Sequence, residues 1–179
     1  TGNKIGAALH KQIKELVFAN KYGRPKPAAT APAAVVGELP VRLDEARSFL
    51  GEPANLPRWT AHQTVYRADD GRWVERRLAG DVPLDVSVEE SRVSFEWGFE
   101  ERPFRVHFDL EESEAGVRVT VPMPAGITTE RATRTADAIE SELVLLSEAL
   151  GAKVEAEKLE HARQTMGRFH LEVYSRKGA

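Results

Sequence analysis

The chain has 179 residues, 41% of them hydrophobic and 30% charged, with a formal net charge of −3. These values are typical of a soluble protein with one domain large enough to bury a core, and no apolar run approaches the ~18 residues of a membrane span. Cysteine is absent, which excludes disulfides and thiol chemistry. With no secretory signal visible, the sequence predicts a cytoplasmic location.

Charge is distributed unevenly along the chain. Residues 1–26 contain six Lys and Arg side chains against one Glu, a net charge of +5, so the rest of the chain carries −8. Nucleic-acid binding depends on neutralising phosphates with basic side chains. The acidic body of the chain therefore argues against a nucleic-acid partner.

Residues 3–20 predict a basic amphipathic helix that ends near Gly23 and Pro25. Its apolar side chains recur at three- and four-residue spacings: Ile5, Leu9, Ile13, Leu16 and Val17. The stretch after it, "RPKPAATAPAA", is typical of a semi-extended linker. The predicted organisation is a helix at 1–24, a Pro/Ala linker at 25–34, a main domain at 35–151 and a helical extension at 152–179.

The main domain is predicted to begin with a short strand at 35–40, a helix over "LDEARSFLG" and a helical turn over "PANLPRW". Alternating hydrophobic segments follow, separated by Gly, Asp, Ser and Pro, as in antiparallel hairpins. The predicted strands are 61–67, 72–78, 84–89, 92–99, 103–111 and 116–122. A long helix is predicted at 128–150 from the stripe of Ile139, Leu143, Leu146 and Leu150, and a last helix from about 153 into the 170s.

The order of the predicted elements resembles the START-like (SRPBCC) superfamily: a strand, two short helices, six antiparallel strands and a long helix. The segment "LPVRLDEARSFLGEPANLPRW", which ends at Trp59, is similar to the usual opening of that family. The resemblance implies an α+β helix-grip fold, in which a curved antiparallel sheet wraps the long helix and leaves a cavity. Additional helices are predicted at both termini.

The segment "SRVSFEWGFEERPFRVHFDL", residues 91–110, presents its large side chains on one face of a β-ribbon. In the helix-grip fold this face meets the long helix. The predicted ligand-contacting residues are apolar side chains of the sheet and of that helix: Trp73, Val86, Phe95, Trp97, Phe104, Val106, Phe108, Val119, Ile139 and Leu143. The same side chains are equally compatible with a filled core.

Polar candidates for chemistry in the cavity are confined to the first two long strands. They are His62, Tyr66, Glu75 and Arg77, and a Glu75–Arg77 pair beside Trp73 is one interpretation. The alternative is a surface salt bridge, with Val74 and Leu78 inward. His107 is predicted on the solvated face. The five histidines lack metal-ligand spacing and no phosphate-binding loop is present, so no metal or cofactor is predicted.

The leading functional prediction is binding of a hydrophobic small molecule, such as a lipid, polyketide or aromatic metabolite. Two alternatives are a cyclase or dehydratase type of enzyme and a protein-interaction module with a filled core. The terminal helices have three explanations: packing within the chain or in a homodimer, docking on a partner, and contact with a membrane through Lys4, Lys11 and Lys14. A homodimer contact or partner docking through these helices is predicted to use Ile5, Leu9, Ile13, Leu159 and Met166.

Overall fold

The computed structural model describes residues 32–62, 64–77, 80–99 and 103–175, the last four of these by backbone alone. The predicted N-terminal helix, with Ile5, Leu9 and Ile13, lies outside these residues. Within them, no helix is both long and apolar enough to cross a membrane.

The described part of the chain contains seven strands, three α-helices and one 3-10 helix, in the predicted order. The elements are β1 (Ala34–Leu39), α1 (Leu43–Leu50), the 3-10 helix (Pro53–Arg58), β2 (Val65–Arg67), β3 (Trp73–Arg77), β4 (Gly80–Val88), β5 (Arg92–Trp97), β6 (Phe104–Ser113), β7 (Gly116–Pro122), α2 (Thr129–Ala149) and α3 (Ala156–Ser175). Strand β2 begins later than predicted because Thr60 holds the preceding turn: its hydroxyl donates to the Leu56 carbonyl and accepts from the His62 amide.

All seven strands form one antiparallel sheet with the order β1-β7-β6-β5-β4-β3-β2. Neighbouring strands from β2 to β7 are consecutive in the chain, so short turns suffice to join them. The turn between β6 and β7 ends at Gly116, which has φ +129° and whose added Cβ would lie 2.3 Å from the Leu39 carbonyl oxygen. Only glycine fits this close approach of β1.

Helix α2 packs against the concave face of the sheet. Thr128 caps its N-terminus by accepting a hydrogen bond from the Arg131 amide, and its buried side chains include Ile139, Leu143 and Leu146. A Cβ added to Gly37 in β1 would lie 2.9 Å from Leu143 Cδ1, so this glycine lets α2 approach the sheet closely. The predicted α+β architecture, a curved antiparallel sheet holding a long helix, is confirmed.

The inward face of the sheet follows the predicted alternation. Val93, Phe95 and Trp97 are buried, and the register pairs Phe95 with Val106 across β5 and β6. Two side chains assigned to this face are nevertheless accessible: Val88 is 49% and Phe104 is 44% exposed. Because they lie at a strand end and a strand start, the elements packed on the sheet leave them partly uncovered.

Helix α3 packs against α2, and its apolar side chains belong to the core of the chain. Met166 is 5% exposed, Ala162 is buried, and Leu159 and Phe169 are partly buried against the same cluster. Of the explanations left open for the C-terminal helix, packing within the chain describes Met166, which is buried and therefore not available for docking. Leu159 packs against the same cluster but stays partly exposed.

Candidate functional site

A cavity of about 90 Å³ lies between the concave face of the sheet and α2. Six of the ten predicted ligand-contacting residues line it: Phe95, Trp97, Phe104, Val106, Phe108 and Ile139. The other four do not line it: Val119 and Leu143 belong to the buried core, and Trp73 and Val86 are partly buried against that core. The cavity is therefore concentrated on β5, β6 and the middle of α2.

Phe104 marks the place where the cavity approaches solvent. Its ring lines the cavity and is also partly exposed, and its neighbour Arg105 lines the cavity as well. The Arg105 guanidinium is held outside by an ion pair with Glu96 on the adjacent strand. The rim thus consists of one accessible aromatic ring beside a charged pair.

Aromatic rings meeting edge to face build the deep wall of the cavity. The ring centroids of Trp59 and Phe108 are 5.5 Å apart at 89°, and those of Phe95 and Phe108 are 5.7 Å apart at 83°. These are the spacings and angles that aromatic pairs prefer. Trp59, supplied by the segment after the 3-10 helix, therefore anchors that segment to the sheet.

Two buried indole N–H groups belong to residues of this wall. Trp59 is 1% and Trp97 is 3% exposed, and within the described part of the chain neither Nε1 atom has a hydrogen-bond partner. A buried donor without an acceptor costs free energy, roughly 1–3 kcal/mol. Both donors belong to residues that line the cavity, although the two nitrogen atoms themselves are buried.

Glu142 on α2 introduces a carboxyl group into this apolar setting. Its side chain is half-buried and lines the cavity, three residues after Ile139 on the same helical face. Burial raises the pKa of Glu142 to about 8, with no cation among the described residues offsetting it. At neutral pH the group is therefore predominantly a protonated acid that can donate a hydrogen bond.

Glu142 is not among the candidates predicted from the sequence, because a lone Glu beside a leucine stripe is typical of a solvated helix face. Its spacing holds the signal that could have identified it. Thr135, Ala138, Ile139 and Glu142 recur at three- and four-residue intervals, and all four line the cavity. The acid thus shares the helical face that meets the sheet.

His62, Glu75 and Arg77 come together at one end of the sheet. Glu75 Oε1 lies 2.7 Å from His62 Nδ1, and Glu75 Oε2 lies 2.8 Å from an Arg77 guanidinium nitrogen. The His62 ring lines the cavity and stacks on Trp97 with centroids 4.8 Å apart. Glu75 is buried rather than on the surface, so a surface salt bridge does not describe this pair, but neither Glu75 nor Arg77 is among the residues that line the cavity.

Glu75 is fully buried, yet it is held as a carboxylate. Burial acts to raise its pKa, but hydrogen bonds and charge from His62 and then Arg77 outweigh burial and keep the pKa of Glu75 below its ordinary value. An ionised carboxylate is an acceptor only, so His62 Nδ1 carries the proton and donates it to Glu75. Glu142, which lines the cavity, and Glu75, which lies behind His62, therefore have opposite protonation states near neutral pH.

Tyr66 and His107 lie on the opposite face of the sheet. The Tyr66 hydroxyl donates to Asp81 and accepts from Arg76, which keeps it away from the cavity. His107 Nδ1 and Ser94 Oγ are hydrogen-bonded at 2.8 Å, and Ser94 is buried beneath this contact rather than solvated as its position in the alternation predicts. Among the residues described, no group of three His, Asp or Glu side chains could hold a metal ion.

No family model and no curated protein matches the sequence. Several solved structures are similar in fold. The solution structure of the Aha1 dimer from Colwellia psychrerythraea aligns with a TM-score of 0.50 and 15% identity over 66% of this chain and 96% of that one. CalU16 from Micromonospora echinospora aligns with a TM-score of 0.49 and 16% identity, over 79% and 84% of the two chains.

DynU16, a protein in the dynemicin biosynthetic locus, aligns with a TM-score of 0.49 and 18% identity over 68% of this chain. The present chain spans only 48% of the length of DynU16. At such identities the likenesses concern the fold. The alignment with Aha1, which covers nearly all of the Aha1 chain, supports the predicted fold.

Proposed function

We propose that this chain binds a small hydrophobic molecule in the cavity between the sheet and α2. The observation that carries the proposal is the lining: aromatic and aliphatic side chains of β5, β6 and α2 surround an internal space that approaches solvent beside Phe104. Transfer of apolar surface from water into such a space contributes about 25 cal/mol per Å². Ligand pockets in general combine an apolar wall with a few polar groups, as here.

The volume limits what can enter without movement. At about 90 Å³ the cavity is smaller than the roughly 150 Å³ engineered cavity that accepts benzene. A single aromatic ring therefore requires an outward movement at the rim, and Phe104 is the exposed ring that stands there. A lipid with a long chain requires more displacement than one ring does, so the proposal favours a compact ligand.

A matched pair of Val→Ala variants tests the proposal. Val121 is fully buried and lines the cavity, whereas Val36 is 58% exposed on the outer face of β1. Val121→Ala enlarges the cavity, so we expect it to bind benzene more tightly than the wild-type chain does in calorimetric titration. Val36→Ala is expected to bind like the wild type. Equal behaviour of the two variants would contradict the proposal.

A second candidate function is acid–base catalysis of the cyclase or dehydratase type, and Glu142 favours it. A general acid is most effective when its pKa lies near the working pH, and the pKa of Glu142 is raised to about 8 by burial at the cavity wall. Turnover of an added substrate that is abolished by Glu142→Gln would support this candidate. The remaining alternative, a protein-interaction module with a filled core, is favoured only if no small molecule binds.

A further inference from the structure

Three residues that line the cavity carry hydrogen-bond donors: Trp59, Trp97 and Glu142. The indole N–H groups of Trp59 and Trp97 have no acceptor within the described residues. The carboxyl of Glu142 lines the same cavity, and its pKa of about 8 leaves it a donor at neutral pH. An unpartnered buried donor is costly, so a molecule that supplies acceptors gains more than a hydrocarbon of the same shape.

We infer that the cavity selects an apolar molecule bearing hydrogen-bond acceptor oxygens, such as the carbonyl oxygen of an aromatic ketone, through the indole N–H groups of Trp59 and Trp97 and the carboxyl group of Glu142. This inference rests on the proposed function, because it names the chemical class of the ligand in the same cavity. It adds three specificity-determining residues to a site otherwise described by its apolar wall.

The arrangement of the donors explains why the acceptor is best carried on a compact ring. Trp97 stands between two aromatic neighbours, with its ring centroid 6.1 Å from that of Phe95 and 5.7 Å from that of Phe104. A flat ring that enters beside Phe104 therefore meets Trp97 directly. Trp97, Trp59 and Glu142 line the cavity from β5, from the segment after the 3-10 helix and from α2, so an acceptor on the ring can reach donors from more than one side once the ring is bound.

Two compounds of nearly equal shape separate recognition of the oxygen from burial of the ring. Acetophenone and isopropylbenzene differ in a carbonyl oxygen against a methyl group. The two compounds also partition differently from water, so the informative quantity is the ratio of their affinities, compared between wild type and variants. Ligand-detected NMR on the full chain measures both affinities.

Trp97→Phe and Trp59→Phe keep an aromatic ring and remove the N–H, and Glu142→Met removes the carboxyl at similar length. Each variant is expected to lower the ratio of acetophenone to isopropylbenzene affinity by about 5-fold, the value of one ordinary hydrogen bond. Val36→Ala, which alters only an exposed side chain, is expected to leave the ratio unchanged.

The outcomes distinguish this inference from the proposed function. If isopropylbenzene binds but none of the variants that fold changes the ratio, the acceptor inference is wrong and the apolar cavity stands. If neither compound binds the wild-type chain, both are wrong. Thermal melts of each variant identify those that fold, and the three positions lie on different elements, so one unfolded variant does not decide the result.

Discussion

The Nδ1 atom of His62 lies 2.7 Å from Oε1 of the fully buried Glu75, 13 residues away in the chain. This contact, together with Arg77, ties the segment after the 3-10 helix to β3. Removing one partner of a buried ion pair leaves the other uncompensated, at a cost of roughly 3–5 kcal/mol. We expect Glu75→Ala to be destabilised by about 3 kcal/mol in denaturant melts.

The contact between His62 and Glu75 also predicts how stability changes in acid. The pKa of Glu75 lies below its ordinary value of 4.5, so its contribution to stability is complete above about pH 4.5 and is lost as pH falls through the lower folded value. The free energy of unfolding of wild type is expected to fall over that acid range more steeply than that of Glu75→Gln. Parallel acid profiles for the two proteins would contradict the assignment of Glu75 as a buried carboxylate.

Glu142 predicts the opposite pH dependence. Its folded pKa of about 8 exceeds the ordinary 4.5, so the folded chain holds the proton more tightly than the unfolded chain does, and stability declines as pH rises between these values. His62 and Arg105 are the other titratable or charged side chains of the cavity in the described residues, whereas α3 and the segment before α2 contribute the apolar Phe169, Pro122 and Pro124.

Glu142→Gln removes this proton linkage. We expect the variant to melt several degrees above wild type near pH 9, and the difference to shrink as the pH is lowered toward 5. Glu140→Gln, two residues away on an exposed face of α2, is the matched control and should change the melting temperature little at either pH. A constant offset for Glu142→Gln across this range would show that its carboxyl is not desolvated.

The alternation of β5 predicts a large difference between neighbouring residues. Trp97 is buried, whereas Glu96 lies on the outer face paired with Arg105. Trp97→Ala is expected to destabilise the fold by roughly 3–5 kcal/mol, and Glu96→Ala by about 0.5 kcal/mol. Similar losses at the two positions would refute the assignment of faces.

Patterns of residue type predicted the fold well, because alternation along strands and stripes along helices report directly on burial. The strand that contains Phe95 and the helix that contains Leu143 were therefore found from the sequence. Which parts of an apolar face are buried was harder to predict. Val88 follows the alternation of the inward face but lies where no element covers the sheet, and Met166 is buried against α2 rather than free to dock. Alternation and stripes show which face is apolar, and the tertiary contacts decide what covers it.

The polar part of the candidate site was only partly accessible to sequence reasoning. His62 and Glu75 were both candidates, but their contact depends on a turn held by Thr60, which shortens β2 and redirects the chain. The spacing of Glu142 places it on the helical face that meets the sheet, but a stripe of apolar residues alone does not include it. Its raised pKa comes from desolvation, which is a property of the assembled cavity.

The close approach of α2 to β1 predicts an energetic coupling between Gly37 and Leu143. Gly37→Ala places a methyl group 2.9 Å from Leu143 Cδ1, so the helix or the leucine must shift, at a cost of about 1 kcal/mol. In the background of Leu143→Ala the clash is absent, and Gly37→Ala should be nearly neutral. A double-mutant cycle in urea measures this coupling, and additive effects would contradict the contact.

Methyl NMR of the full chain tests the central claim, that the cavity binds a small apolar molecule, most directly. On titration with isopropylbenzene, the claim predicts saturable chemical-shift changes at the methyl groups of Ile139, Val106 and Val121, which line the cavity, and none at the exposed Val36. Absence of saturable changes at the cavity methyls up to the solubility limit of the compound, or equal changes at Val36, would contradict it.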